Sequence, residues 1–345
     1  MAKRPSVRFV FAVFLTAFAS LWLTWGTLAP RVLFHFDSGN FALAHYYFHP
    51  ALNQPHLPGY PLFVALSHVV ALFTDGMQTN FLFCGMLAGA GALSFLFLLA
   101  DAQFGRKAAL IATALLFLNP AFLTGGLTNQ VRVYLALIAC ATAWFGWKVL
   151  TGDRPARSLL VGAFVVALLC GFRPEMLLLM MPLLFGPAIV RRLKWPLAAA
   201  LALYLLTAAP WQAFTVWRTG GEVFAPARLS EAGARIAKYI EVSGRYVAQE
   251  TQRDSPVFGA GVGGALSLVG KAIVWTFQGL WPALILVTVF GLWRHTERRQ
   301  RLLFALWFLP LFAFHATVHI ADPDHALSTI PALCLIAGGM LAKMD

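Results

Sequence analysis

Long apolar runs alternate with short polar segments along almost the whole chain. Ten of these runs are long enough, or nearly so, to cross a bilayer as a helix, which takes about 17–25 apolar residues. They lie at roughly 9–29, 81–100, 108–123, 132–150, 156–172, 174–190, 195–217, 272–293, 302–320 and 325–342. The pattern predicts an all-α polytopic membrane protein, with about ten transmembrane helices in a single integral membrane domain over residues 1–345.

Two polar segments are long enough to hold structure of their own. The first outer loop, 30–80, contains an aromatic-rich stretch at 39–49 and a shorter apolar stretch at 58–73 that begins Pro-Gly-Tyr-Pro. We expect juxtamembrane helices here, with 58–73 re-entrant rather than crossing. The long outer loop, 218–271, carries apolar residues at helical spacing over 226–252, which predicts an amphipathic helix on the outer membrane surface.

Composition agrees with a membrane location. Of the 345 residues, 59% are hydrophobic and 12% are charged, and the mean hydropathy is +0.72. A soluble chain has about 25% charged residues, so this composition excludes a soluble enzyme, a disordered protein and a nucleic-acid-binding domain. No nucleic-acid partner is therefore expected.

The net charge of +12 reports orientation. With ten crossings, sixteen Lys and Arg residues fall on the side of the two termini, whereas the short segments opposite hold three, Arg31, Arg132 and Arg173. Because Lys and Arg concentrate on the cytoplasmic side, both termini are predicted to be cytoplasmic, in a bacterial inner membrane. If 58–73 crossed the membrane, the later clusters of Lys and Arg would fall on the outer side. The first run, behind three basic residues, is predicted to be an uncleaved anchor.

Most of the carboxylates are predicted to lie on the outer side, and the first outer loop places one of them, Asp37, in a distinctive sequence context. It contains His35-Phe36-Asp37-Ser38 and, about twenty residues later, His56-Leu57-Pro58-Gly59-Tyr60-Pro61. An acid just outside the first span, an aromatic short helix and a Pro-Gly-Tyr-Pro turn resemble the GT-C glycosyltransferases. The similarity is to their protein O-mannosyltransferase and aminoarabinose-transferase-like branch.

The resemblance implies a membrane glycosyltransferase that uses a polyprenyl-phosphate-linked sugar on the outer face. The acceptor would be a lipid, a glycan or a protein, and membrane lipid would be a further partner. Asp37 would be the general base that deprotonates the acceptor hydroxyl. His56 and Tyr60 would contact the substrate. The alternative for Asp37 is a helix N-cap, a position where Asp is preferred.

Three further outer residues are candidates for substrate or lipid-phosphate binding. Arg173, in Gly-Phe-Arg-Pro-Glu175, suits a phosphate because its planar fork makes bidentate charged bonds, and the alternative is an ion pair with Glu175. Many GT-C members have a second carboxylate after the third span. This chain has Asn129 and Arg132 there instead, which leaves an ordinary outer turn as the alternative.

The last outer segment holds a second acidic cluster, His319-Ile-Ala-Asp322-Pro-Asp324-His325. His319 and Asp324 are candidate substrate contacts. This cluster, or the four histidines of the first loop, could bind a divalent metal ion, but neither spacing matches a standard zinc site. No cofactor is firmly predicted.

Two other classes of function remain open at this level. A transporter or lipid flippase predicts ionisable groups near the membrane midplane and internal repeats, and this sequence shows neither. A non-catalytic membrane scaffold would not need an acid beside a Pro-Gly-Tyr-Pro re-entry.

Overall fold

The computed structural model describes residues 6–128, 130–220, 232–251, 261–277, 290–291, 296–320 and 322–344. These residues form helices and no strand. In chain order the helices are α1 (Val7–Leu28), α2 (Phe36–Tyr46), α3 (Pro61–Val70), α4 (Met77–Phe104), α5 (Arg106–Phe117), α6 (Pro120–Leu127), α7 (Val133–Thr151), α8 (Pro155–Cys170), α9 (Met176–Leu179), α10 (Met181–Val190), α11 (Lys194–Thr219), α12 (Ala232–Thr251), α13 (Gly261–Thr276), α14 (Arg298–Thr317) and α15 (Ile330–Leu341). The predicted all-α membrane fold is confirmed.

Four of the described helices are long and apolar enough to cross a membrane: α1, α4, α11 and the helical run from Gln130 to Thr151. The predicted span 108–123 is a bent pair instead, because α5 and α6 meet at 55°. Asn119 caps α6 through a 2.9 Å bond from Ala121 N–H to its side chain, and Pro120 occupies the first helical position. Shorter apolar helices make up α3, α8, α9–α10 and α15. The count of ten crossings stays a prediction.

The core is built by α4 and α7, which pack against each other along their length. Around this pair, α1 packs on α4, α15 on α5, and α11 on α8. By contrast, α1 leaves apolar side chains such as Phe11, Trp22 and Leu23 exposed. An exposed apolar stripe of this kind suits contact with lipid chains.

Both outer segments fold largely as expected, with shifted boundaries. The helix predicted over 39–49 is α2, which starts earlier because His35 accepts a 3.1 Å bond from Asp37 N–H and acts as its N-cap. The ten residues of α3 span about 15 Å, half the hydrocarbon thickness, which supports the re-entrant interpretation of 58–73. In α12, Ile236 and Ile240 are exposed, as an interfacial helix requires. Residues 221–231, 252–260 and most of the predicted span 272–293 lie outside the described residues.

Two contacts fix the outer ends of these helices against one another. The N–H of Leu62, at the start of α3, donates a 3.2 Å bond to the carbonyl of Gly171, just after α8. Trp307 Nε1 of α14 donates a 2.9 Å bond to the carbonyl of Ser328, which ends the short 3₁₀ helix Pro323–Ser328. These contacts join segments that are distant in sequence.

Candidate active site

A cavity of about 520 Å³ opens where several of these segments meet. The start of α2, the Pro-Gly-Tyr-Pro turn, the junction of α8 with α9, and the segments 130–132 and 322–328 contribute most of its polar wall. Its polar lining consists of His35, Asp37, His56, Tyr60, Arg132, Arg173, Glu175, Tyr239, Ser243, His315, His319, Asp322, His325 and Ser328.

Asp37 lies in the first turn of α2, and its carboxylate is directed across the cavity. Its Oδ2 is 3.3 Å from Arg132 Nη2, and its Oδ1 is 3.5 Å from His56 Nδ1. Burial opposes the ionised form, but the neighbouring His56 and Arg132 outweigh it, and the pKa of Asp37 is lowered. The carboxylate is therefore ionised at neutral pH. His35, not Asp37, is the helix cap, so the alternative role proposed for Asp37 is wrong.

Arg132 is buried at the centre of the acidic residues. It ends the 3₁₀ turn Gln130–Arg132 and leads directly into α7. Its Nη2 also lies 3.2 Å from Asp322 Oδ2, its Nε lies 3.7 Å from Asp324 Oδ1, and its Nη1 contacts His325 Nε2. The guanidinium thus joins the first outer segment, 95 residues before it, to the last one, 190 residues after it.

Arg173 occupies the opposite wall, in the turn between α8 and α9. Its side chain is 3% exposed and its Nη2 is paired with Glu175 Oε1. Two further nitrogens, Nε and Nη1, are buried with no hydrogen-bond partner among the described residues. Buried donors are nearly always paired in folded proteins, so an acceptor from a ligand would complete this site.

His56 and Tyr60 connect the two walls. His56 Nε2 lies 2.9 Å from the Tyr60 hydroxyl, and the Arg173 guanidinium stacks 5.1 Å from the centre of the Tyr60 ring. Burial lowers the pKa of His56 to about 4, even though the Asp37 carboxylate raises it, and so the imidazole is neutral at pH 7. Contacts therefore run without a break from Asp37 through His56 and Tyr60 to Arg173.

The structure brings most of the candidate residues together. Asp37, His56, Tyr60, Arg132, Arg173 and His319 line the cavity, and Asp324 is buried behind Arg132. Asn129 lies outside the described residues. The proposed alternative of an ordinary outer turn for Arg132 does not describe its buried position. The ion pair between Arg173 and Glu175 exists, and it leaves the two unpaired nitrogens available.

Some lining residues were not expected from the sequence. Tyr239 and Ser243, four residues apart on one face of α12, reach the cavity, as do His315 of α14 and Ser328. The i,i+4 spacing of Tyr239 and Ser243 shows that they share a face, but nothing in the sequence says what that face covers. His315 Nε2 lies 2.9 Å from Ser328 Oγ, a contact between two elements that periodicity does not reveal.

The same region holds a group of candidate metal ligands among the described residues. Asp322, Asp324 and His325 place ligand atoms within 4.8 Å of one another and could together hold a metal ion. The four histidines of the first loop do not converge, since His45 stacks 4.0 Å from His68 and lies outside the cavity. Arg132 contacts Asp322, Asp324 and His325.

The chain resembles known proteins in sequence over part of its length. Residues 49–214 match the sequence model of the family described as dolichyl-phosphate-mannose-protein mannosyltransferase. This stretch includes His56, Tyr60, Arg132 and Arg173, whereas Asp37 precedes it. No curated protein matches the chain.

Solved structures resemble it over nearly its whole length. ArnT from Cupriavidus metallidurans bound to undecaprenyl phosphate aligns with a TM-score of 0.65 and 16% identity over 99% of this chain and 61% of that protein. The apo state of the same protein aligns with a TM-score of 0.66 and 17% identity over 97% of this chain and 60% of ArnT. The oligosaccharyltransferase of Archaeoglobus fulgidus, in complex with Zn and sulfate, aligns with a TM-score of 0.53 and 15% identity. The alignment covers 96% of this chain and 48% of that protein.

These matches define the class of fold. The chain has the fold of ArnT over nearly its whole length, which agrees with the GT-C-like membrane fold that the resemblance of the first outer segment implied. It spans about three-fifths of the length of ArnT. None of these matches is a transporter or a flippase.

Proposed function

We propose that the protein transfers a sugar from a polyprenyl-phosphate-linked donor to an acceptor on the outer face of the membrane. One observation carries this proposal. A single cavity has an ionised carboxylate, Asp37, on one wall and a buried guanidinium with two unpaired N–H groups, Arg173, on the other. A base and an oxyanion site are the two elements that this transfer needs.

The reaction is a single displacement. Asp37 takes the proton of the acceptor hydroxyl while that oxygen forms a bond to the anomeric carbon of the donor. The bond from the anomeric carbon to the phosphate oxygen breaks, and the phosphate leaves with the electron pair. Arg173 stabilises the added charge on the phosphate through its guanidinium, whose Nε and Nη1 are the donors that Glu175 does not occupy. Attack from the face opposite the leaving group would invert the anomeric centre.

The nature of the donor follows from the fold and the site together. The related ArnT structure holds undecaprenyl phosphate, and Arg173 offers this chain a site for such a lipid phosphate. Membrane lipid surrounds the exposed apolar faces of α1 and α12. The distribution of Lys and Arg supports a bacterial inner membrane, with both termini in the cytoplasm and the cavity on the outer side. The acceptor is a hydroxyl of a lipid, glycan or protein.

The function is tested with the purified protein in proteoliposomes that contain a labelled polyprenyl-phosphate sugar. Release of polyprenyl phosphate is measured for the wild type and for Asp37→Asn, which keeps the shape of the side chain and removes the base. We expect a fall in turnover of about 100- to 10,000-fold, the usual contribution of a general base. Asp75→Asn, an exposed acid of the same outer segment, is the matched control and should be fully active.

Turnover by Asp37→Asn equal to that of the wild type would remove Asp37 from the mechanism. If the wild type releases no polyprenyl phosphate from any lipid-linked sugar and any acceptor, the proposed transfer itself is wrong.

A further inference from the structure

The guanidinium of Arg132 lies between two acidic groups that come from opposite ends of the chain. On one side is Asp37 of α2, 3.3 Å from Nη2, and on the other are Asp322 and Asp324, 3.2 Å from Nη2 and 3.7 Å from Nε. His325 Nε2 contacts Nη1. The Arg132 side chain is 6% exposed, so these charges meet with little water between them.

The guanidinium of Arg132 lies where a metal ion bound by the neighbouring acidic residues and His325 would lie. Carboxylate oxygens and imidazole nitrogens bind Zn²⁺ or Mg²⁺ at about 2.0–2.2 Å, and Asp322, Asp324 and His325 supply such atoms within 4.8 Å of one another. Each of the three residues instead contacts Arg132. A divalent ion placed among them would lie against a buried positive charge, and like charges repel strongly where water is scarce.

The backbone around Arg132 holds it in this place. The residue stands between a 3₁₀ turn and the first residue of α7, a largely buried helix. The facing residues are fixed as well, because Asp322 caps the 3₁₀ helix Pro323–Ser328 and Trp307 binds the end of that helix.

We propose that Arg132 is a built-in cation of this active site, in the place where Asp322, Asp324 and His325 would otherwise hold a divalent metal, and that sugar transfer needs no metal ion. The inference deepens the proposed function, on which its catalytic part rests. Arg132 is a positioning residue: it neutralises the acidic cluster and holds Asp37 ionised and oriented toward the cavity. Removing it empties a site with the ligands of a divalent ion.

The experiment measures Mn²⁺ binding directly, by electron paramagnetic resonance of the free ion, on purified protein stripped with EDTA. The wild type and Arg31→Ala, an exposed outer arginine as control, should bind no Mn²⁺ at this site. Arg132→Ala should bind Mn²⁺, and the additional change Asp324→Asn should abolish that binding. In the transfer assay, wild-type turnover should be unchanged by EDTA, while the low turnover of Arg132→Ala should rise when Mn²⁺ is added.

Two results would overturn the proposal. One is a wild-type protein that binds Mn²⁺ through Asp324, or whose turnover is lost with EDTA and restored by Mn²⁺. The other is a folded Arg132→Ala variant without a Mn²⁺ site. The wild-type measurements decide the matter if Arg132→Ala does not fold. Because Mn²⁺ binding needs no sugar substrate, an absence of all turnover with the expected binding pattern would count against the proposed function alone.

Discussion

At the scale of the residue, Arg173 has buried hydrogen-bond donors that a ligand can satisfy. Two of its buried nitrogens have no acceptor among the described residues, and an unpaired buried donor costs about 1–3 kcal/mol. Glu175 and the Tyr60 ring hold the guanidinium in place without occupying those nitrogens. The side chain is therefore oriented before the donor arrives, which lowers the entropic cost of binding a phosphate.

The variant Arg173→Lys tests this role while keeping the charge beside Glu175. Lysine lacks the planar fork, and a hydrogen bond to a charged group contributes about 1.5–3 kcal/mol. We expect kcat/KM for the lipid-linked donor to fall by about tenfold or more, with the KM for the acceptor unchanged. Steady-state kinetics at varied donor concentration measure the effect.

The matched control is Arg31→Lys, an exposed arginine on the same side of the membrane. Its kinetics should equal those of the wild type. An unchanged donor kcat/KM in Arg173→Lys would show that the fork does not bind the phosphate.

Single residues also mark the limit of what the sequence predicts. Asp37 and Arg173 stand next to recognisable turn residues, and their chemistry could be predicted from type and position. The contact of Arg132 with Asp322 could not, because periodicity gives no distance between loops 190 residues apart. The sequence offers Asp37 as the alternative helix cap because Asp is a preferred N-cap, whereas the imidazole of His35, which caps the helix in the structure, is an uncommon one.

At the scale of the element, the bend between α5 and α6 determines where Arg132 lies. The apolar run 108–123 predicts a continuous span, but Asn119 and Pro120 begin a new helix inside it. That helix, α6, packs on Trp25 of α1 and runs into the turn that ends at Arg132. Hydropathy measures how apolar a run is and does not register a cap within it, which is why the break was missed.

Gly126 is the position where α6 approaches α1 most tightly. A Cβ there would lie 2.3 Å from the buried Trp25 ring, far closer than van der Waals contact. We expect Gly126→Ala to destabilise the protein by about 1–3 kcal/mol, the usual cost of overpacking, and to lower its Tm in detergent. Scanning fluorimetry measures the shift.

Gly270→Ala is the control for this change, because, apart from its own helix backbone and chain neighbours, no described residue has an atom within 4 Å of a Cβ at that position. It should leave the Tm unchanged or raise it slightly, since alanine favours a helix over glycine. An equal Tm for both variants would contradict the packing of α6 against α1.

At the scale of the whole molecule, α4 sets the orientation of everything that follows. Its 28 residues span about 42 Å, long enough to place Asp75 before it and Arg106 after it on opposite sides of a bilayer. The charge distribution predicts Asp75 outside, provided that α3 does not cross. The ten residues of α3 support that condition, and the whole orientation depends on it.

Cysteine labelling with an impermeant maleimide decides the orientation. We expect Asp75→Cys to react from the outer side of intact cells and Arg106→Cys to react only after the membrane is opened. The four native cysteines are all buried, so the unmodified chain is the background control. The reverse pattern would mean either that 58–73 crosses the membrane or that the whole chain has the opposite orientation.

The bond from Leu62 N–H to the Gly171 carbonyl has a consequence for how this face can vary in evolution. Main-chain atoms make the contact, so it survives nearly every exchange of side chains around it. Two restrictions remain: proline at position 62 would remove the donor, and a Cβ at position 171 would lie 2.6 Å from the Leu62 side chain. The turn that carries Tyr60 and the turn that carries Arg173 can therefore diverge in sequence while staying joined.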